Sequence, residues 1–350
     1  MLKICHIATG APGGISRMVL NLIEEQRRDP ELQVSVILLQ EGAWSERFER
    51  TGIPVLRPQS VRGLRRWISV FRMLRQFDLG HLHVFDPMIV FASPWKKTPL
   101  LFTCHSVRGK GRVPHRFDRL REWLSRRFMS RIAGGTAFVS GFTREFWQAR
   151  GVRCRRSAVV ANGCPFPETP LEPPSAESFA VGTFATFGKV KRLDLLLKGF
   201  ARFAQKNPDA RLLMVGDGAE RNNLEALARE LKIDAATTFA GYQDDVASWI
   251  RKMNVVVIPS CEETFGLAAI EALYEGRPVI VCKDGGGLTE VLSGTPDSIV
   301  APDIQCIADK LAQYRNAGQK YDMNALRESA MRYSMRNCVL SYKNFYLDLL

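Results

Sequence analysis

Two carboxylates, Glu263 and Glu271, stand with seven residues between them in "CEETFGLAAIEALYEGRPVIV", residues 261–281. From Phe265 to Tyr274 the only charged side chain is Glu271. A carboxylate among apolar neighbours is costly unless it is paired or hydrogen-bonded, and the vicinal hydroxyls of a ribose would give it two donors. The strand-like run "NVVVIPS" comes just before, so Glu263 is expected at the carboxyl end of a strand. The helix that follows offers unpaired N–H groups and a partial positive charge, which suit a phosphate. At 1.5 Å per helical residue the step to Glu271 is about 12 Å, enough to grip two parts of one elongated ligand. A reading without a ligand stands beside this one. "SCEE" fits Ser-x-x-Glu, so Ser260 and Glu263 could form a capping box, with Glu271 on an exposed stripe.

The elements around the pair alternate. "LKICHIA", "QVSVILL", "HLHVF", "PLLFT", "TAFVS" and "SAVVA" read as strands with helical segments between most of them. Residues 165–178, "PFPETPLEPPSAES", hold five prolines and read as a linker. The alternation then restarts with "FAVGTFAT", "ARLLMVG", "TTFAG", "NVVVIPS" and "RPVIVC". Strands alternating with helices give parallel sheets covered on both faces. The expected fold is α/β, with two Rossmann-like doubly wound domains at 1–164 and 179–334 facing a central cleft. Ligands in such sheets bind outside the carboxyl ends of the strands, which makes the cleft the expected site. The last helix, 335–350, is expected to pack back on the first domain.

Composition narrows the class. With 350 residues, 46% hydrophobic and 24% charged, the chain reads as soluble and globular. Its apolar runs are too short to span a bilayer, and "MLKICHIATGAPGG" does not read as a signal peptide. Eight cysteines with no Cys-x-x-Cys pair fit reduced thiols in a cytosol. The net charge of +13 is uneven: residues 1–164 carry 28 Lys and Arg against 12 Asp and Glu, 24 of the cations being Arg. That half is expected to meet an anionic partner.

Taken together, the motifs resemble the retaining glycosyltransferases of family 4, which have the GT-B fold and an E-x7-E signature. Glu263 and Glu271 carry the signature, and "GAPGGISR", "VVANGCPFP", "LLMVGDGAERNNLEALAREL", "TFAGYQDDV" and "DGGGLTEVL" follow in the family's order. The resemblance implies transfer of a hexosyl unit from a nucleotide-diphosphate sugar, a UDP- or GDP-sugar, with retention. It implies that Glu263 contacts the donor hexose and Glu271 the ribose. The backbone of Phe265, Gly266 and Leu267 would meet sugar and phosphates, and Gly13 and Gly14 would lie by the donor phosphates and the acceptor. His105, just past a strand in "LLFTCHS", would touch the sugar near the reacting carbon. "TFGKVKRLDLLLKGF" is two residues shorter than the family's Arg–Lys segment. Lys191 matches the Lys, Lys189 lies in the Arg's neighbourhood, and Arg192 falls where the family has Gly.

No two Asp residues stand in Asp-x-Asp spacing, so cations rather than a metal are expected to neutralise the leaving diphosphate. No cofactor is expected. His81 and His83 share a strand face but lack an accompanying Cys or carboxylate cluster, and a metal site is not expected there. "VRGLRRWISVFRMLRQF" places Val61, Leu64, Trp67, Ile68, Phe71, Leu74 and Phe77 at helical spacing among arginines. It reads either as an interfacial membrane helix or as a core-facing helix with a solvated Arg face. A second Arg-dense stretch, "VRGKGRVPHRFDRLREWLSRRFMSR", strengthens the membrane reading. Family members that build lipid-linked or envelope glycans use their first domain in this way. A glycan or lipid-linked acceptor is therefore expected, in envelope, exopolysaccharide or lipopolysaccharide synthesis, at the cytoplasmic side of a membrane. Nucleic acid is not expected, since no recognised module appears. The rival readings are a nucleotide-sugar 2-epimerase of the same fold and a non-catalytic protein that binds anionic lipid.

Overall fold

The computed structural model describes residues 1–59, 62–107, 117–174, 178–318 and 321–350. Among these, one compact unit runs to Pro165 and takes in Tyr333–Leu350, and the other is Phe166–Arg332. Each unit is a parallel sheet with helices on both faces.

In the first unit the strands are β1 (Leu2–Ala8), β2 (Leu32–Leu38), β3 (Val55–Leu56), β4 (Leu79–Leu82), β5 (Leu100–Cys104), β6 (Gly135–Phe138) and β7 (Ser157–Val159), in the order β3-β2-β1-β4-β5-β6-β7. Alternate residues of β1 enter opposite cores. Ile4 and Ala8 pack on the side that holds Met18 and Leu22 of helix Gly14–Gln26 and Tyr342 and Tyr346 of helix Met335–Leu349. Cys5 and Ile7 pack on the other side, with Trp67 and Phe71 of helix Gly63–Met73. Burial on both faces explains why these strands read as near-continuous apolar runs.

The C-terminal helix joins this unit through paired backbone bonds, Cys164 N–H to Tyr333 O and Met335 N–H to Cys164 O, both 2.9 Å. Gly163 permits the approach, since a Cβ there would lie 2.7 Å from Met335 Cα.

The Arg-rich helix follows the second of its two readings, the core-facing one. Trp67, Phe71 and Leu74 of its apolar stripe are buried, as is Val70, so that stripe faces the core and leaves no aromatic face for a bilayer. Arg66 pairs with Asp86. Val61 and residues 108–116 of the second Arg-dense stretch lie outside the described residues. Among the described residues no helix is long and apolar enough to cross a membrane.

The second unit contains β8 (Ala180–Phe184), β9 (Arg211–Val215), β10 (Thr237–Gly241), β11 (Val255–Ile258), β12 (Val279–Cys282) and β13 (Ile299–Val300), in the order β10-β9-β8-β11-β12-β13. Val181, Leu212, Met214, Val255 and Val257 form its core with Leu196, Leu197 and Phe200 of helix Leu193–Ala204. The proline-rich segment is tied to this unit. Arg277, fully buried, donates to Glu172 O at 2.6 Å and to Arg251 O at 2.8 Å. Arg327 donates to Thr169 O at 2.6 Å, and Phe166 stacks on Tyr274 with ring centroids 4.2 Å apart.

Candidate functional site

In the second unit three loops meet at the carboxyl ends of adjacent strands. β11 ends at Ile258, and the chain then takes a left-handed turn at Glu262, φ 51°. Glu263 is one partner of an isolated parallel bridge, with Gly286 as the other. Its N–H donates to Gly285 O at 3.1 Å and its carbonyl accepts from Gly287 N–H at 2.7 Å. Glycine is required on the far side, because a Cβ on Gly287 would lie 2.5 Å from Thr264 O. The third loop is the short turn Lys189–Lys191, tied to the first by Cys261 N–H donating to Val190 O at 3.0 Å.

This anchoring overturns the capping-box reading. The helix is Leu267–Tyr274 with Gly266 as its N-cap, so Ser260 and Glu263 lie before it and do not cap it. The stretch from Glu263 to Gly266 is bridged and irregular, so the helical rise applies only from Leu267 onward. The 12 Å expectation therefore does not describe the pair. Glu271 lies in the second turn, partly buried, on a helix whose Ala269, Ile270, Ala272, Leu273 and Tyr274 are buried.

The Glu263 carboxylate pairs with Lys191. Arg192 has a different employment. Its guanidinium makes a bidentate pair with Asp284, at 2.8 and 2.6 Å, and donates to Pro259 O at 2.7 Å and Ser260 O at 3.2 Å. It clamps all three loops together. Lys189 is exposed and lines a recess with Gly188, Arg192, Glu220 and Leu224. Of the described non-glycine residues, Arg192, Lys232 and Glu262 have positive φ, and two of these three frame Glu263. Left-handed backbone at a residue with a side chain costs about 1–3 kcal/mol and persists where the surroundings impose it, often at functional sites.

Gly266 sits at φ 121°, and a Cβ there would lie 2.6 Å from Leu288 Cδ2. Gly266→Ala is expected to destabilise the second unit by about 1–3 kcal/mol, read by denaturant unfolding. An unchanged midpoint would mean that the helix start is not held as described.

In the first unit, Gly13 precedes helix Gly14–Gln26 with φ 154°, and a Cβ built on either Gly13 or Gly14 meets nothing within 4 Å. The open space lies beside the helix N-terminus, whose N–H groups favour an anion. His105 follows β5, partly buried, with Nε2 3.1 Å from His83 Nδ1. Behind it His6, His81 and His83 form a buried cluster whose ligand atoms lie within 4.8 Å of one another. Burial pushes His6 down to about 4 and His105 down to about 3, and holds His81 and His83 well below the ordinary imidazole value. All six ring nitrogens of the cluster already have hydrogen-bond partners: Gln26, Tyr346, Thr103, His105 or one another. A metal there would have to break that network.

Residues 178–316 match the family described as Glycosyl transferases group 1, and residues 12–165 match Glycosyltransferase Family 4. The lipopolysaccharide core biosynthesis glycosyltransferase LpsE of Rhizobium meliloti is 31% identical over 303 residues, covering 81% of this chain and 80% of LpsE. The chain belongs to the GT-B glycosyltransferases. N-acetyl-alpha-D-glucosaminyl L-malate synthase of Bacillus anthracis is 32% identical, over 47% of this chain and 44% of the synthase. The match thus spans less than half the length of that relative. The fold is also that of Anabaena Alr3699/HepE, solved in complex with UDP-glucose, at a TM-score of 0.81, 21% identity and full coverage of both chains.

For this GT-B glycosyltransferase, sequence reasoning did not single out Asp284, Gly285 and Gly287 as supports of Glu263. The signal present was the "DGGG" run directly after a predicted strand. It marks a loop approached closely by another backbone.

Proposed function

We propose that this GT-B glycosyltransferase moves a hexosyl unit, with retention and without a metal, from a UDP- or GDP-sugar to a glycan or lipid-linked acceptor in envelope polysaccharide synthesis. The observation that carries the reading is Glu263, fixed by its backbone on a glycine-rich loop and paired through its side chain with Lys191. A carboxylate so placed accepts from sugar hydroxyls, and the lysine beside it meets the diphosphate. When donor arrives, phosphate oxygens compete with Glu263 for the Lys191 ammonium, and sugar hydroxyls replace the ammonium at the carboxylate.

The N–H groups of Phe265, Gly266 and Leu267 face the phosphates and sugar, and Glu271 takes the ribose hydroxyls. Lys189 adds positive charge from the exposed turn. Arg192 serves the donor indirectly, by holding Lys191 and Glu263 in register. The first unit contributes Gly13 and Gly14 to the phosphates and His105 to the sugar. On this reading the C–O bond to the diphosphate breaks as the acceptor oxygen attacks the same face, and a donor phosphate oxygen takes the acceptor proton. The chain's contribution is positioning and charge stabilisation.

An anionic surface is the proposed setting of the acceptor. The support is the helix Asp118–Arg127, where Leu120 and Trp123 are 54% and 53% exposed beside Arg126 and Arg127. Arg131, Arg153 and Arg155 line the recess next to them.

A thermal-shift screen of UDP- and GDP-sugars tests the donor half of this reading. A true donor nucleotide raises stability by about 3 kcal/mol at a hundredfold excess over Kd, and Lys191→Met is expected to abolish most of the shift. Should no nucleotide stabilise the chain, or should Lys191→Met respond like the parent, the reading fails. Incubation with UDP-GlcNAc alone separates a transferase from an epimerase, which would yield an epimer without released nucleotide.

A further inference from the structure

The histidines behind the first unit's site form one continuous hydrogen-bonded file. His105 Nε2 lies 3.1 Å from His83 Nδ1, His83 Nε2 lies 2.9 Å from His6 Nδ1, and His6 Nε2 lies 2.7 Å from Gln26 Oε1. A branch continues from Gln26 Nε2 to Tyr346 Oη at 2.9 Å, then to His81 Nδ1 at 2.8 Å. His81 Nε2 meets Thr103 Oγ1 at 2.7 Å, and Thr103 Oγ1 meets Tyr342 Oη at 3.0 Å. The topology explains the alignment. β1, β4 and β5 are adjacent, His6 and His81 are register partners, and side chains at alternate positions share a face. The first helix places Gln26 over that face, and the C-terminal helix places Tyr342 and Tyr346 there.

The file has a direction. The orientation of the Gln26 amide sets it: with the nitrogen on Tyr346 the oxygen faces His6, and an oxygen only accepts, whereas the flipped amide would reverse every bond of the file. Facing the oxygen, His6 must carry its proton on Nε2. A neutral imidazole has one N–H, so His6 Nδ1 accepts, and His83 must donate to it from Nε2. By the same rule His83 Nδ1 accepts, and His105 must donate from Nε2. Each ring in turn fixes the tautomer of the next, because a buried ring nitrogen facing another cannot leave both lone pairs or both protons opposed. Burial favours the uncharged form of every ring, which the one-proton rule requires.

We propose that Gln26, His6 and His83 are positioning residues that fix His105 as the Nε2–H imidazole, so that its Nδ1 meets the donor sugar only as a hydrogen-bond acceptor. The part concerning the sugar rests on the glycosyltransferase reading given above; the tautomer does not. An acceptor nitrogen selects a sugar hydroxyl that donates, and it disfavours a donor analogue with fluorine at that carbon.

The test is a 15N spectrum of the full-length chain with labelled histidine, at pH 7 and without donor, with His105 assigned from the signals lost in His105→Gln. The expected result is a bare Nδ1 and a protonated Nε2 on His105. A protonated Nδ1, or an imidazolium, overturns the proposal. Gln26→Met removes the terminal acceptor and is expected to populate the opposite tautomer of His105. If the folded variant keeps the Nε2–H form, Gln26 does not set the direction and the proposal fails. With UDP-glucose as probe, kcat/KM for UDP release is expected to fall about tenfold in Gln26→Met, the loss of one hydrogen bond. A flipped tautomer with unchanged UDP release overturns the role at the sugar. A purely structural role would move the melting temperature without moving the ring-nitrogen shifts. The spectrum needs no donor, so a chain with the expected tautomer and no transfer activity would sink the functional reading and leave the file standing.

Discussion

Glu263→Ala is expected to lower transfer by about 10²–10³-fold, the usual effect of removing one group that stabilises a transition state. The fold should survive the change. The bridge to the glycine-rich loop is made by the Glu263 backbone, which alanine retains. The side chain's partner is Lys191, and the two side chains are 24% and 25% exposed, so water still reaches the ammonium left behind and the cost to stability is on the order of 1–2 kcal/mol. Freed of its partner, Lys191 keeps its charge for the diphosphate, so nucleotide affinity should hold while turnover falls. Steady-state kinetics beside a thermal melt separates the outcomes. Loss of activity together with loss of folding would make Glu263 a structural acid, and unchanged kinetics would remove it from the site.

The second large effect is acid lability of the first unit. His6 is fully buried and pushed down to about 4, and His81 and His83 are held well below their ordinary value. The sign follows from proton counts. Between the folded and unfolded pKa the unfolded chain binds more protons, so stability is complete above about pH 6.5 and falls as pH drops. His6 alone removes about 3 kcal/mol by pH 4, and the other two rings add to this. Total stabilities are about 5–15 kcal/mol, so unfolding is expected between pH 6.5 and 4. The neighbouring Tyr342, Tyr346 and Cys338 are all raised by burial and stay neutral across this window. Asp29, which pairs with Lys343 of the C-terminal helix, is lowered from 3.8, so its contribution is lost only below that pH. Trp44, Trp67, Trp95, Trp123 and Trp147 lie in the first unit and Trp249 in the second, so tryptophan fluorescence reports mainly this transition. A midpoint below about pH 4 would contradict the histidine account.

Much of the fold could be read locally. "LKICHIA" is β1 over the same residues, Leu2–Ala8, because a strand buried on both faces announces itself as an apolar run. The strands that escaped, Val55–Leu56 and Ile299–Val300, are two residues long at sheet edges, too short to leave a pattern. The Arg-rich helix could be read only in part. Its periodicity gave the stripe, but whether a core or a bilayer covered that stripe depended on strands elsewhere in the chain.

By itself the sequence determined the alternation of strands and helices, the family motifs and the acids Glu263 and Glu271, since these depend on side-chain type and spacing over a few residues. Tertiary structure decided what each group does. Lys191 meets Glu263 across 72 positions, Arg192 meets Asp284 across 92, and Gln26 meets Tyr346 across 320. Hydrogen bonds and ion pairs act over about 3 Å, and only the folded backbone brings such distant residues that close.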